Sequence, residues 1–299
     1  ENPTMTTNAS TAPSIQLGQR TVGPGQPVYV IAEAGVNHNG NPDTAKQLIE
    51  AARYAGADAV KFQAFKADRL VTRHAPAAVY QQQHADAPSQ HDLLRRLELP
   101  DGALADLADH CRACGLDFLA TPFSRSDLDE LLDARPAAIK FASPDLVNKP
   151  LLEQAAYTGL PLILSTGAAR RDEIDQTVGW LGQWHAFDRT AWLHCVSSYP
   201  TLPADAQLRR IASLADAYGR PTGYSDHTRQ VETGALAVVL GACLIEKHFT
   251  LDRAQPGPDH FFSLEPDALA DYINMIRTAT AMLRSEERRV GKECRSRWA

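Results

Sequence analysis

A parallel (β/α)8 TIM barrel with a short N-terminal β-hairpin cap is the fold this chain predicts, on three observations. A short apolar run followed by a helical pattern recurs eight times. Most of those runs are apolar throughout rather than alternating, as in parallel strands buried on both faces. No Gly-rich dinucleotide fingerprint follows the first strand, which argues against an open Rossmann sheet. Length agrees: the chain has 299 residues, 44% of them hydrophobic, and such a barrel needs about 250.

The elements follow in order. Residues 1–14 are polar and rich in Thr, Ser, Asn and Pro, which predicts a disordered segment with Met5 as the expected natural start. Residues 15–28 predict the hairpin, turned at Gly23-Pro24-Gly25. Barrel strands are predicted at 28–35, 59–64, 117–123, 138–143, 162–167, 191–197, 222–227 and 243–250. Helices are predicted at 43–54 after Pro42, and at 101–114 after Pro100 with Gly115 as the stop. Six more are expected at 126–134, 150–158, 171–183, 204–218, 230–240 and 266–283. Residues 66–99 read as a long polar loop carrying Tyr80, three successive Gln and His84, of the kind that covers a substrate. The barrel domain is therefore 15–283. Residues 284–299 read as a non-native basic tail: RSEERRVGKECRSRW lacks apolar periodicity and resembles a translated sequencing-adapter oligonucleotide.

Composition excludes several classes of function. A net charge of −6 argues against a general nucleic-acid binder. No run approaches the roughly 18 apolar residues of a membrane span, and no signal peptide is visible. Five cysteines, an odd number, predict reduced thiols in the cytoplasm. Cys111 and Cys114 form a Cys-x-x-Cys inside a predicted helix, without the second pair a zinc site needs, so they read as structural.

In a barrel of this kind the chemistry lies where strands end. His227 and His248 close the last two strands, and two imidazoles side by side at one rim make a site for a divalent metal. Glu33, Lys61, Thr121, Lys140, Ser143 and Asp145 come from the first four strand ends, and Ser165, Ser197, Tyr199 and Glu246 from later ones. Inward-facing lysines need an anion to offset their desolvation. With hydroxyls at Thr121, Ser143, Ser165 and Thr166 they describe a pocket for a phosphate, a carboxylate or a substrate carrying both. Two alternatives remain open here: a lysine simply paired with Glu33 or Asp145, or a Schiff base on Lys61 or Lys140. An imine-forming barrel has no obvious use for the histidine pair.

The motifs IAEAGVNHNG, AVKFQAF, LATPFS, IKFASPDL, LILSTGA, LHCVSSYPT, GYSDHT, IEKHFT and PGPDHFFSLEP occur in that order. Together they resemble the sialic acid synthase family over residues 15–283. The resemblance implies condensation of phosphoenolpyruvate with an open-chain N-acetylated aldose such as N-acetylmannosamine, with release of phosphate. It implies a divalent metal, Mn2+ first and Mg2+ or Co2+ as alternatives, held by His227 and His248. It further implies that Lys61, Thr121, Lys140, Ser143 and Ser165 hold phosphoenolpyruvate, and that Tyr199, Asp259 and the position of Ser197 face the sugar. Glu33 and Asp145 would act near the reacting carbons. Two positions depart from the family pattern: Asp145 stands where Glu is common, and Ser197 where Asn is common. Both lie on the sugar side, so pseudaminate, legionaminate and spore-coat sugar synthases remain alternatives, as does a non-catalytic barrel kept for binding. The family forms homodimers in which a small C-terminal domain resembling type III antifreeze protein lends an Arg to the partner's sugar. The chain stops after its eighth helix, so the resemblance leads us to expect a truncated synthase of weak activity.

Overall fold

The computed structural model describes residues 13–76, 87 and 89–283. A hairpin of β1 (Ile15–Leu17) and β2 (Arg20–Val22) comes first. The barrel strands follow: β3 (Tyr29–Gly35), β4 (Ala59–Ala64), β5 (Asp117–Pro122), β6 (Ala138–Phe141), β7 (Leu162–Ser165), β8 (Thr190–Cys195), β9 (Thr222–Asp226) and β10 (Leu244–His248). All eight run parallel to their neighbours and close when β10 pairs with β3, Leu244 opposite Tyr29 and His248 opposite Glu33. Each predicted barrel strand is present, within a few residues of its expected ends.

Period-two alternation gives every strand an inner and an outer face. Outward residues such as Val30, Val60, Phe62, Phe118, Ile139, Leu164 and Trp192 join the core shared with the surrounding helices. Inward residues near the strand starts, among them Tyr29, Ile31, Leu119, Ile163, Leu193 and Leu244, form a second, interior cluster. Ile15, Leu17 and Val22 of the hairpin complete that cluster and plug the barrel floor. Burying each such side chain stabilises by about 1.5–3 kcal/mol. One turn further along the strands the inward positions change character, to Glu33, Lys61, Thr121, Lys140, Ser165 and Glu246, all buried. The apolar floor and the hairpin fix the barrel; the charged layer above it is what has to be explained by function.

Helices begin where local chemistry says they should. Asn41 accepts hydrogen bonds from the Asp43 and Thr44 amides and precedes Pro42, opening the helix Pro42–Ala55; Gly56, at φ 85°, closes it. Helices Ala103–Ala113, Arg125–Asp133, Lys149–Tyr157, Arg171–Gln183, Thr233–Val239 and Pro266–Met282 all fall where predicted.

Three expectations are corrected. The hairpin turns at Gly18-Gln19, not at Gly23-Pro24-Gly25, because Ile15 pairs with Val22 and Leu17 with Arg20 across a two-residue loop. Such a loop needs a left-handed residue, and Gly18 supplies it at φ 52°. Helix 204–218 starts only at Arg210, since Pro203–Asp205 forms a separate 3-10 turn and Gln207 takes a positive φ. The stretch 66–99 is not one loop: it contains helices Ala67–Leu70 and Gln90–Leu97, the second capped by Ser89. Leu93 and Leu97 of that helix pack with Val36 and Phe65. Tyr80, the three Gln and His84, like 284–299 and nearly all of 1–14, lie outside the described residues. Among the described residues no helix is long and apolar enough to cross a membrane. The four described cysteines are free thiols.

Candidate active site

The charged layer inside the barrel is a lysine–glutamate cluster. Lys61 Nζ lies 2.8 Å from Glu33 Oε1 and 3.8 Å from Glu246 Oε1, and donates to Thr121 Oγ1 at 3.1 Å. Lys140 Nζ donates to Ser165 Oγ at 2.7 Å and to the Phe141 carbonyl at 2.9 Å, and stands 3.8 Å from Glu246 Oε2. Ser225 Oγ donates to Glu246 Oε1 at 3.1 Å. Strand register explains the convergence: Glu33 is the Cα partner of Lys61, and Glu246 of Ser225, so neighbours in the ladder share the inner face.

The lysines thus have partners within the protein, Glu33 and Glu246, but the pairing is incomplete. Burial, reinforced by Glu246, pushes the Glu33 carboxyl up to about 7 against the pull of Lys61. Glu246 stays below the usual range despite its burial, held there by Lys140 and Lys61. Near neutral pH Glu33 is therefore only partly ionised, and the two lysines face less than two full carboxylates. Glu33 Oε2 and Glu246 Oε2 are buried with no hydrogen-bond partner among the described residues. Buried polar atoms are rarely left so unless a ligand or water completes them.

Beside this cluster stand the two histidines, ring centroids 5.4 Å apart. His227 Nδ1 is 2.9 Å from the Val196 carbonyl, which sets Nδ1 as the protonated nitrogen and leaves Nε2 as the lone pair. His248 Nδ1 is buried, without a hydrogen-bond partner among the described residues, and lies 3.8 Å from Asp259 Oδ2. Burial, with His227 and Lys61 nearby, pushes His248 well below the usual imidazole range, so it is neutral, the ligating form. Burial also depresses His227, but Cys195, with Sγ at 3.9 Å from Nδ1, and the Val196 carbonyl raise it above that range overall. A bound cation would displace its proton. Among the described residues no group of three His, Cys, Asp or Glu side chains is arranged to hold a metal. The donor set of two imidazoles therefore fits a divalent ion only if water or substrate completes its shell.

The remaining predicted residues frame the mouth. Ser143 Oγ accepts from the Gly167 amide at 2.9 Å. A Cβ on Gly167 would meet Ser197 Oγ at 2.7 Å and Ser143 Oγ at 2.8 Å, so those two hydroxyls flank one glycine. The Tyr199 ring packs on His227 at 4.4 Å between centroids. Asp259 is buried, its carboxyl pushed up to about 6 by that burial. Asp145 makes no hydrogen bond to these side chains among the described residues. It sits half-buried in the 3-10 turn Ser143–Val147, where its carboxylate accepts from Asn148 Nδ2 at 3.0 Å.

Two lysines, two glutamates and two imidazoles thus meet at the C-terminal ends of the barrel strands, the face on which barrel enzymes place their active sites. The chain belongs to the NeuB family, whose match covers residues 48–288. The N,N'-diacetyllegionaminic acid synthase of Legionella pneumophila is 39% identical over 265 residues, spanning 87% of this chain and 74% of the relative. Its namesake in Campylobacter jejuni is 42% identical over 250 residues, spanning 83% and 75%. Among solved structures, the N-acetylneuraminic acid (sialic acid) synthetase of Leptospira borgpetersenii superposes with a TM-score of 0.81 at 35% identity. It covers 91% of this chain and 90% of its own.

Sequence reasoning gave no role to Glu246, which bridges both lysines, or to Ser225, which donates to it. A signal was available: Glu246 lies two residues before His248 on one strand, so both must face the same side. Asp226, beside His227 at the end of β9, faces the opposite way, out of the barrel, against Lys247 and Tyr272.

Proposed function

We propose that this chain condenses phosphoenolpyruvate with an N-acetylated aldose to give a nonulosonic acid and inorganic phosphate. The observation that carries the reading is the placement of Lys61 and Lys140. Both are fully buried in the barrel mouth and linked through Glu246, with Thr121 and Ser165 hydroxyls on them. Two ammonium groups with hydroxyl donors hold a small dianion bearing phosphate and carboxylate, and low local dielectric strengthens each contact.

The chemistry asked of the site is modest. The enol carbon bonds to the aldehyde carbon, the aldehyde oxygen gains a proton, and water adds at the carbon bearing phosphate. The resulting hemiketal then loses phosphate to leave a keto acid. Glu33, near neutrality and hydrogen-bonded to Lys61, is placed to accept the proton of that water. Lys61 and Lys140 stabilise the departing phosphate. Ser143, Ser165 and Thr121 orient the anion, and Ser197, Tyr199 and Asp259 face the sugar with Asp145 at the margin. His227 and His248 would hold a divalent metal, Mn2+ first among candidates, which would supply Lewis-acid polarisation of the aldehyde oxygen. Free thiols and a phosphoenolpyruvate substrate fit a cytoplasmic enzyme.

The acceptor is N-acetylmannosamine or a 6-deoxy diamino analogue of it. The second is favoured by the two legionaminic acid synthases at 39% and 42% identity. Phosphate release from phosphoenolpyruvate with Mn2+ tests the proposal, with each sugar and with none. Release that requires one sugar and stops with chelator supports it and names the acceptor. A folded protein that binds Mn2+ but releases no phosphate with any sugar would point to the non-catalytic barrel instead.

A further inference from the structure

Directly behind the histidine pair, on the outer face of the same two strands, lies a fully buried ion pair that the reaction itself does not use. Lys247 and Asp226 are Cα partners in the β10–β9 ladder, and Lys247 Nζ is 3.0 Å from Asp226 Oδ2. Their side chains are 1% and 0% exposed. Asp226 also accepts from the Tyr272 hydroxyl at 2.9 Å and from the Thr228 amide at 2.8 Å. Lys247 Nζ donates as well to the Thr228 carbonyl and lies 5.2 Å from the Tyr272 ring centroid. Thr228 Oγ1 in turn meets Thr233 Oγ1 at 3.0 Å, on the first residue of helix Thr233–Val239.

The sequence positions matter. Residues 226 and 228 bracket His227, and Lys247 precedes His248, so one ammonium group on β10 grips β9 on both sides of the facing histidine. The two rings differ in how else they are held. His227 has the Val196 carbonyl behind its Nδ1, and its own carbonyl accepts from the Thr201 amide at 2.9 Å. The His248 carbonyl is likewise held, by the Leu264 amide at 3.0 Å. Among the described residues, however, His248 Nδ1 has no hydrogen-bond partner, with Asp259 Oδ2 3.8 Å away, and the ring packs against Phe262 at 5.0 Å and His227. Where the His248 ring lies relative to His227 thus depends on how the two strand ends are registered.

We propose that Asp226, Lys247 and Tyr272 are positioning residues whose buried network sets the spacing of His227 and His248 for a divalent cation. A buried ion pair is a poor source of net stability, but one partner without the other is strongly disfavoured, so the pair specifies register. Groups bonded directly to a ligating histidine change metal affinity about 10–100-fold when removed, and a network acting one step back, through strand register, should act at the lower end of that range. The inference rests on His227 and His248 being the metal ligands, and its test separates the two ideas.

Mn2+ binding is measured by electron paramagnetic resonance of the free ion, without phosphoenolpyruvate or sugar, well below the unfolding temperature of each variant. Asp226→Asn and Lys247→Met should weaken binding about 10-fold, and Tyr272→Phe by less. The His248 ring-nitrogen NMR shifts of metal-free Asp226→Asn should move, which a purely stabilising role would not cause. Folded Asp226→Asn with wild-type Mn2+ affinity and unmoved His248 shifts, beside a His227→Ala that binds none, would overturn the clamp and leave the metal site standing. Equal binding by wild type and His227→Ala would remove the metal site and the inference with it. Should Asp226→Asn not fold, Tyr272→Phe decides, since it keeps both charges and the ring: unchanged Mn2+ affinity overturns the proposal and weaker affinity supports it.

Discussion

Replacing Lys61 by Met removes the ammonium group that touches Glu33, Thr121 and Glu246 while keeping most of the side chain's volume. Two effects follow, and they can be separated. Breaking a buried ion pair from one side ordinarily costs about 3–5 kcal/mol of stability. Here Glu33 already titrates at about 7, so it takes up a proton cheaply near neutral pH, and the loss should fall toward the low end, about 3 kcal/mol. The binding effect is distinct. A charge-assisted hydrogen bond contributes about 1.5–3 kcal/mol, equivalent to roughly a 10- to 150-fold rise in KM for phosphoenolpyruvate. Lys61→Met combined with Glu33→Gln should restore much of the melting temperature, because no lone carboxylate remains beside the gap, and should still bind phosphoenolpyruvate weakly. Phosphate-release kinetics on Lys61→Met, with calorimetric melting and phosphoenolpyruvate titration on both variants, provide the assay. KM within about twofold of wild type in folded Lys61→Met, or wild-type phosphoenolpyruvate affinity in the double variant, would refute an anion pocket built on this lysine.

Other perturbations have equally definite outcomes. His227→Ala or His248→Ala should abolish Mn2+-dependent phosphate release, and chelation of the wild type should do so reversibly; full activity in either variant would exclude the pair as metal ligands. Glu246→Gln should depress turnover far more than Asp145→Asn, since Glu246 neutralises both lysines while Asp145 bonds to Asn148; the reverse order of kcat values would reassign the acidic role. Gly18→Ala places a Cβ 2.3 Å from Asp117 Oδ1 at φ 52°. It should lower stability by about 1–3 kcal/mol, and an unchanged urea midpoint would mean the hairpin is not a fixed cap.

Much of the fold was legible before any coordinates. Strands of apolar residues and helices bounded by Pro and Gly are local signals, and helix Arg171–Gln183 matches its predicted bounds. The misplaced hairpin turn shows the limit: Gly18-Gln19 and Gly23-Pro24-Gly25 are both acceptable turns locally, and only the pairing of Ile15 with Val22 selects the first. Helix Gln90–Leu97 was missed for a related reason. Its leucines, Leu93, Leu94 and Leu97, are too few to show a helical period, and they pack on Val36 and Phe65, both distant in sequence.

The active-site layer divides along the same line. Residue types and strand-end positions identified Glu33, Lys61, Thr121, Lys140, Ser165, His227 and His248 as inward candidates, because alternation and barrel topology are encoded locally. Partnership is not encoded locally. That Lys61 and Lys140 share Glu246, that Glu33 is driven toward neutrality by burial, and that Asp226 serves the outer face with Lys247 all depend on the register between strands 20 or more residues apart. Sequence by itself determined an eight-unit barrel, its family resemblance and the rim on which its chemistry lies. Only the tertiary structure decided which charges face one another and which polar atoms are left for a ligand, because distance and desolvation exist only once the barrel has closed.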